Sequence, residues 1–185
     1  MRVSWIIADD AVLAPGVDSD QLKTVGSLWG GWRNQRAYQI DNVVCNDLRR
    51  TMTLVQHGIH QRCNLYVSRP NHLTLGSPEG MQVYEGEFMH ELDRQDEIVT
   101  LHLAAGQSDI ILLLGFGWQP YVANTDALLE LRAHNYRQLV RHVVQDNPDT
   151  QWVLVDHPAK LMPELANLSN LTVDTLSNVF ELLAS

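Results

Sequence analysis

The side chains best suited to proton transfer are Asp9-Asp10 and Asp156-His157, two polar pairs that each follow directly on a short apolar run. A histidine with an unperturbed pKa near ~6.5 gives or takes a proton at neutral pH, and a carboxylate can accept one. Adjacent residues leaving a strand diverge, so Asp156 cannot orient the imidazole of His157 as a catalytic triad would. His157 needs a separate partner to act as a base; bonded to a backbone carbonyl ahead of Pro158 it is structural. Asp10, Asp156 and His157 are the catalytic candidates. Ligand contacts are expected from Asp9, Arg69, Gly115 and Trp118, which also fall at the ends of apolar runs, and from Trp32 and Arg33. In Trp29-Gly30-Gly31-Trp32-Arg33, an aromatic beside glycines can stack on a base or sugar, with a guanidinium next to it for a phosphate or carboxylate. The plainer alternative is that both tryptophans plug a loop onto the core.

No catalytic fingerprint supports a particular reaction. Around His90 a zinc-protease pattern needs a second histidine four residues on, where Arg94 stands, so no metal site is expected. Neither Ser4 nor Ser68 sits in a Gly-x-Ser-x-Gly elbow. Gly115-Phe116-Gly117 is half a dinucleotide fingerprint without its third glycine, and no Walker lysine is present, so no cofactor is identified.

Strand and helix signals alternate along the chain. Ser108 to Leu114 is an unbroken apolar run after Asp109, the pattern of a central strand covered on both faces. Val3 to Ala8, Asn64 to Ser68, Gln151 to Val155 and Leu171 to Asp174 read as further strands, with a short extended piece at Met81 to Tyr84 in an otherwise loop-like stretch from Asn71. Helices are expected from Asp18 to Gly26, between Cys45 and Cys63, over Ala127 to Asp146, over Leu176 to Ala184 and, more briefly, over Leu161 to Asn167. In the second of these, Leu48, Met52, Val55 and Ile59 mark one face. Asp96 to Ala105 suits a helix stopped by Gly106, which the crossover into a parallel strand requires; its alternation also allows a strand and a hairpin. From Trp29 to about Asn42 the chain reads as an irregular connection. The result is an α/β fold: a three-layer, Rossmann-like or flavodoxin-like sandwich with a mainly parallel sheet of about five strands.

A chain of 185 residues is expected to form one domain, 1–185, burying roughly 70% of the surface its unfolded form exposes. Thirteen Lys and Arg against 22 Asp and Glu give a net charge of -9, which disfavours duplex nucleic acid, although Arg33, Arg36, Arg49, Arg50 and Arg62 gather in the first third. Cys45 and Cys63 bracket a helix of about 16 residues, ~24 Å long, and cannot reach each other across it, so two buried free thiols are expected rather than an activated one at Cys45 near its amino end. Free thiols, an amino terminus without a signal-peptide pattern and the lack of a ~20-residue apolar span imply a cytoplasmic protein that does not cross a membrane.

Trp29-Gly30-Gly31-Trp32, Asp41 to Cys45, Arg62 to Tyr66, Ser108 to Phe116 and Gln151 to His157 resemble segments of an uncharacterised protein family of marine short-tailed bacteriophages. The resemblance brings no activity, and implies only a bacterial cytoplasm during infection. Two functions fit: binding a small polar ligand of nucleotide or sugar type at the carboxyl edge of the sheet, with or without catalysis, or binding a host or virion protein.

Overall fold

The computed structural model describes residues 1–8, 18–85, 95–116, 127–155 and 165–184. The long apolar run is strand β6 (Ile110–Leu114), between β1 (Val3–Ile7) and β7 (Gln151–Val155). Four of its five side chains are buried, as a strand covered on both faces requires. Each such side chain contributes at most roughly 1.5–3 kcal/mol relative to exposure.

Beyond β1 lie β2 (Ser27–Gly31), β3 (Asn42–Val44), β4 (Asn64–Ser68) and β5 (Met81–Tyr84), and beyond β7 lies β8 (Leu171–Asp174), giving the order β5-β4-β3-β2-β1-β6-β7-β8. All seven pairings are parallel. The sequence pattern predicts about five strands; eight form. The expected irregular stretch after Trp29 is instead β2, helix α2 (Trp32–Tyr38) and β3. Gly30 allows this tight packing, since a Cβ there would lie 2.7 Å from Ile40 Cδ1 and 3.1 Å from Asn34 Nδ2. Trp29 is a core residue: it is 1% exposed, stacks on Tyr66 at 5.3 Å, and its indole N–H donates to the Ser4 and Ser27 hydroxyls.

Helix α1 (Ser19–Lys23) starts at Asp18, whose carboxylate accepts from Gln21 N at 2.8 Å, as expected of an N-cap. Helix α3 (Leu48–Gln56) is shorter than predicted, giving way at Gly58 to a single 3-10 turn, Ile59–Gln61. Its buried residues are Thr51 and Leu54, while Met52 is exposed, so the predicted apolar face is displaced. Thr51 tolerates burial because its hydroxyl donates to Asp47 O at 2.8 Å. The start of the stretch expected to be loop-like from Asn71 is instead part of helix α4 (Arg69–Thr74), with proline in its first turn.

Helix α5 (Gln95–Ala105) is the crossover helix, not a hairpin strand, and Gly106 ends it. Helices α6 (Ala127–Asp146) and α7 (Leu176–Ala184) fall where expected; of Leu161 to Asn167 only Leu165 to Asn167 are described, as a turn. The register puts Trp5 and Gly30 on one face of the sheet, against α7 and α2; Phe180 of α7 lies 5.8 Å from Trp5. Helix α5 packs on the other face, where Val99 and Leu103 meet Val44, Tyr66 and Tyr84, with α6 beside it. This is a three-layer α/β sandwich of the Rossmann or flavodoxin type. No helix among the described residues is long and apolar enough to cross a membrane.

Candidate functional site

In an open parallel sheet, ligands bind outside the carboxyl ends of the strands, where the strand order reverses direction. Here that point lies between β1, from which the chain steps out to β5, and β6, from which it steps out to β8. Ile7 pairs with Leu114 and Leu114 with Val155, so the three central strands end level. Ala8 N donates to Leu114 O at 3.0 Å, continuing the β1–β6 ladder to the last described residue of this segment. Gly115 then turns the chain at φ 76°, a conformation that favours glycine, and Phe116 drops into the core at 2% exposure.

Asn34 holds the end of β1. It is 3% exposed, and its side-chain amide reaches over β2 to donate to Ile7 O at 2.8 Å and Ala8 O at 3.1 Å. Two carbonyls at the edge are thereby satisfied by a helix-borne donor, and Gly30 leaves the room it needs.

One strand further out, Trp32 opens α2, with the Arg50 guanidinium over its indole at 4.7 Å from the ring centroid and that of Arg33 at 5.8 Å. Both distances are in the cation–π range. Arg50 occupies the third position of α3, where a capping box would place Glu or Gln, and Asp47 alone caps that turn by accepting from Arg50 N at 2.8 Å. The first turn of α3 contains no acidic residue but both Arg49 and Arg50, a placement the helix dipole opposes. Local rules broken in this way are common at functional sites.

Asp96, in the first turn of α5, reaches across to the loop after β3. Its carboxylate accepts from Asn46 N at 2.8 Å, and Thr100 donates to Asp96 O at 2.6 Å. Burial pushes the Asp96 carboxyl up to about 6 and Asp47 adds to this, while the Asn46 backbone, Arg50 and the Asn46 side chain draw it down. Asn71 fastens the same loop by donating to Asn46 O at 2.6 Å. Cys45 lies in this cluster, and burial, with Asp96 adding, pushes its thiol up to about 12. Burial outweighs its position before α3, as expected of a buried free thiol. Cys63, also pushed up by burial to about 11, is likewise free.

Arg69 stands apart. It forms an exposed ion pair with Glu85, which raises the arginine and lowers the carboxyl, at the end of β4, three strands from β1. Of the residues singled out from sequence, the structure brings Trp32 and Arg33 together one strand from β1 and puts Gly115 at the end of β6. Asp9, Asp10, Trp118, Asp156 and His157 lie outside the described residues; the strands they follow in the sequence, β1, β6 and β7, are adjacent. Sequence reasoning missed Asn34, Arg50 and Asp96. The first has a trace in Gly30 and the second in its wrong charge at the start of α3, while Asp96 has none. Among the described residues no group of His, Cys, Asp and Glu is arranged to hold a metal ion. Comparison with family models, curated proteins and solved structures gave no match.

Proposed function

We propose that this protein binds a small polar ligand, of nucleotide or sugar type, at the carboxyl edge of its sheet beside the ends of β1 and β6. The observation that carries this reading is the reversal of strand order there, flanked by three level strand ends. Asp9, Asp10, Asp156 and His157 follow two of these strands in the sequence, and this reading takes them as polar partners of the ligand. In this reading Asp10, Asp156 and His157 supply the proton-transfer groups.

The test is a thermal-shift screen against nucleotides, sugars and divalent metals, repeated on Asp10→Asn and His157→Ala. A ligand at 100 times its dissociation constant stabilises by ~2.7 kcal/mol. The expected result is a shift for one ligand class that both substitutions diminish. A flat response across the panel overturns the reading in favour of a protein that acts by binding another protein, of the host or of a virion.

A further inference from the structure

The indole that the sequence offers as a stacking platform carries guanidinium groups instead. Arg50 lies 4.7 Å and Arg33 5.8 Å from the Trp32 ring centroid, so this part of the edge presents cations rather than a bare aromatic face. Among the described residues no carboxylate forms an ion pair with Arg50. The nearby Asp96 carboxylate is instead committed to Asn46 N, and Asp47 to Arg50 N. A guanidinium stacked on an indole loses hydration from one face and keeps its edge, a planar fork of N–H donors that matches two oxygens of an oxyanion.

We infer that Arg50, braced on Trp32 with Arg33 beside it, holds the phosphate group of a phosphorylated ligand. The inference rests on the ligand-binding reading above and specifies its substrate class. Arg50 stands in the first turn of α3, where the helix dipole also favours an anion, and its planar fork suits two oxygens of a phosphate, which carries about -1.5 to -2 charge at neutral pH. The position fits as well. Trp32 follows β2 directly, and β2 neighbours β1, so the indole on which the arginines rest leaves the sheet one strand from the switch-point strand. A nucleotide or sugar phosphate held there extends its uncharged part toward the ends of β1 and β6. Arg50 breaks the electrostatic preference of the first turn of α3, and a bound dianion reverses that repulsion.

The experiment measures dissociation constants by titration calorimetry at constant ionic strength. The probes are nucleoside monophosphates against their nucleosides, hexose phosphates against their hexoses, and inorganic phosphate. The proteins are the unaltered chain, Arg50→Gln, Arg50→Lys and, as a control for general charge, Arg69→Gln. A phosphorylated probe is expected to bind at least about tenfold tighter than its parent. Arg50→Gln should abolish that advantage, Arg50→Lys should restore part of it, and Arg69→Gln should leave it intact. Equal phosphate advantage in the unaltered chain and Arg50→Gln overturns the inference, as does an equal loss in Arg69→Gln. If parent compounds bind but phosphate adds nothing, the phosphate site falls and the ligand site stands; if no probe binds, both fall.

Discussion

Asn170 and Asn34 do the same work at opposite ends of the sheet. Asn170, just before β8, donates to the carbonyls of Val144, Asn147 and Thr150, tying the end of α6 to the turn that enters β7. Asn34 donates to Ile7 and Ala8 at the end of β1. What surrounds them differs. At the amino ends, polar groups close on each other: Ser4 joins Ser108 at 2.7 Å and Ser27 at 3.1 Å, Asp109 takes Arg2 N at 2.6 Å, and Asp41 takes both Leu28 N and Lys23. At the carboxyl ends, a guanidinium rests on an indole instead of a carboxylate, and Asp96 is buried at a cost to its ionised form. At the amino end these polar groups are paired with one another, while at the carboxyl end the Arg50 guanidinium rests on Trp32 and also draws the Asp96 carboxyl down.

The comparison breaks most visibly if the clamps are unequal in the wrong order. Asn170→Ala removes side-chain contacts to three carbonyls, of which Val144 O and Asn147 O keep a backbone donor, and should lower stability by about 2–3 kcal/mol in urea unfolding, and Asn34→Ala removes two and should lower it by about 1–2 kcal/mol. Equal or inverted losses mean the amino end is not the better closed. Asp96→Asn should act the other way. Because the folded carboxyl is raised to about 6 from an ordinary 3.8, its stability contribution is full below 3.8 and lost as pH rises through 6. The substitution keeps an acceptor for Asn46 N and should therefore stabilise by about 1–2 kcal/mol at pH 8, with no gain at pH 3. A pH-independent difference would show that ionisation is not the cause. The smallest contrast is between two tryptophans. Trp29→Phe removes an indole N–H that serves two serines and should cost ~1 kcal/mol, whereas no partner among the described residues accepts from the Trp32 indole N–H and Trp32→Phe should stay within ~0.5 kcal/mol.

The elements that sequence made legible are those whose burial is complete or whose ends are chemically marked. β6 shows as a continuous apolar run, α6 and α7 by periodicity and flanking residues, and α1 by Asp18. β2 was hidden because Gly30 and Gly31 look like a break, when Gly30 is there to admit Ile40 and Asn34. β3 has only three residues, too few for a pattern. In α3 the buried face turns on Thr51, a polar residue whose hydroxyl is satisfied within its own helix. The same limit governs the site. Gly115 is legible from sequence as the end of an apolar run, and Trp32 and Arg33 as an aromatic and a cation beside glycines. Arg50, Asn34 and Asp96 reach the edge from helices, across packing that no local pattern encodes.

The place of β1 in the sheet also bears on how the chain is made. Val3 pairs with Ile110, and the Arg2–Asp109 contact beside it spans 107 residues. At synthesis rates of about 5–20 residues per second, β1 waits roughly 5–20 s for its second neighbour to emerge. During that interval its β6-facing edge, which carries the backbone of buried Trp5, Ile6 and Ile7, has no partner. β1 is therefore paired on its β2 side well before β6 closes the other, and the growing chain passes through a stage in which that edge of the sheet is open.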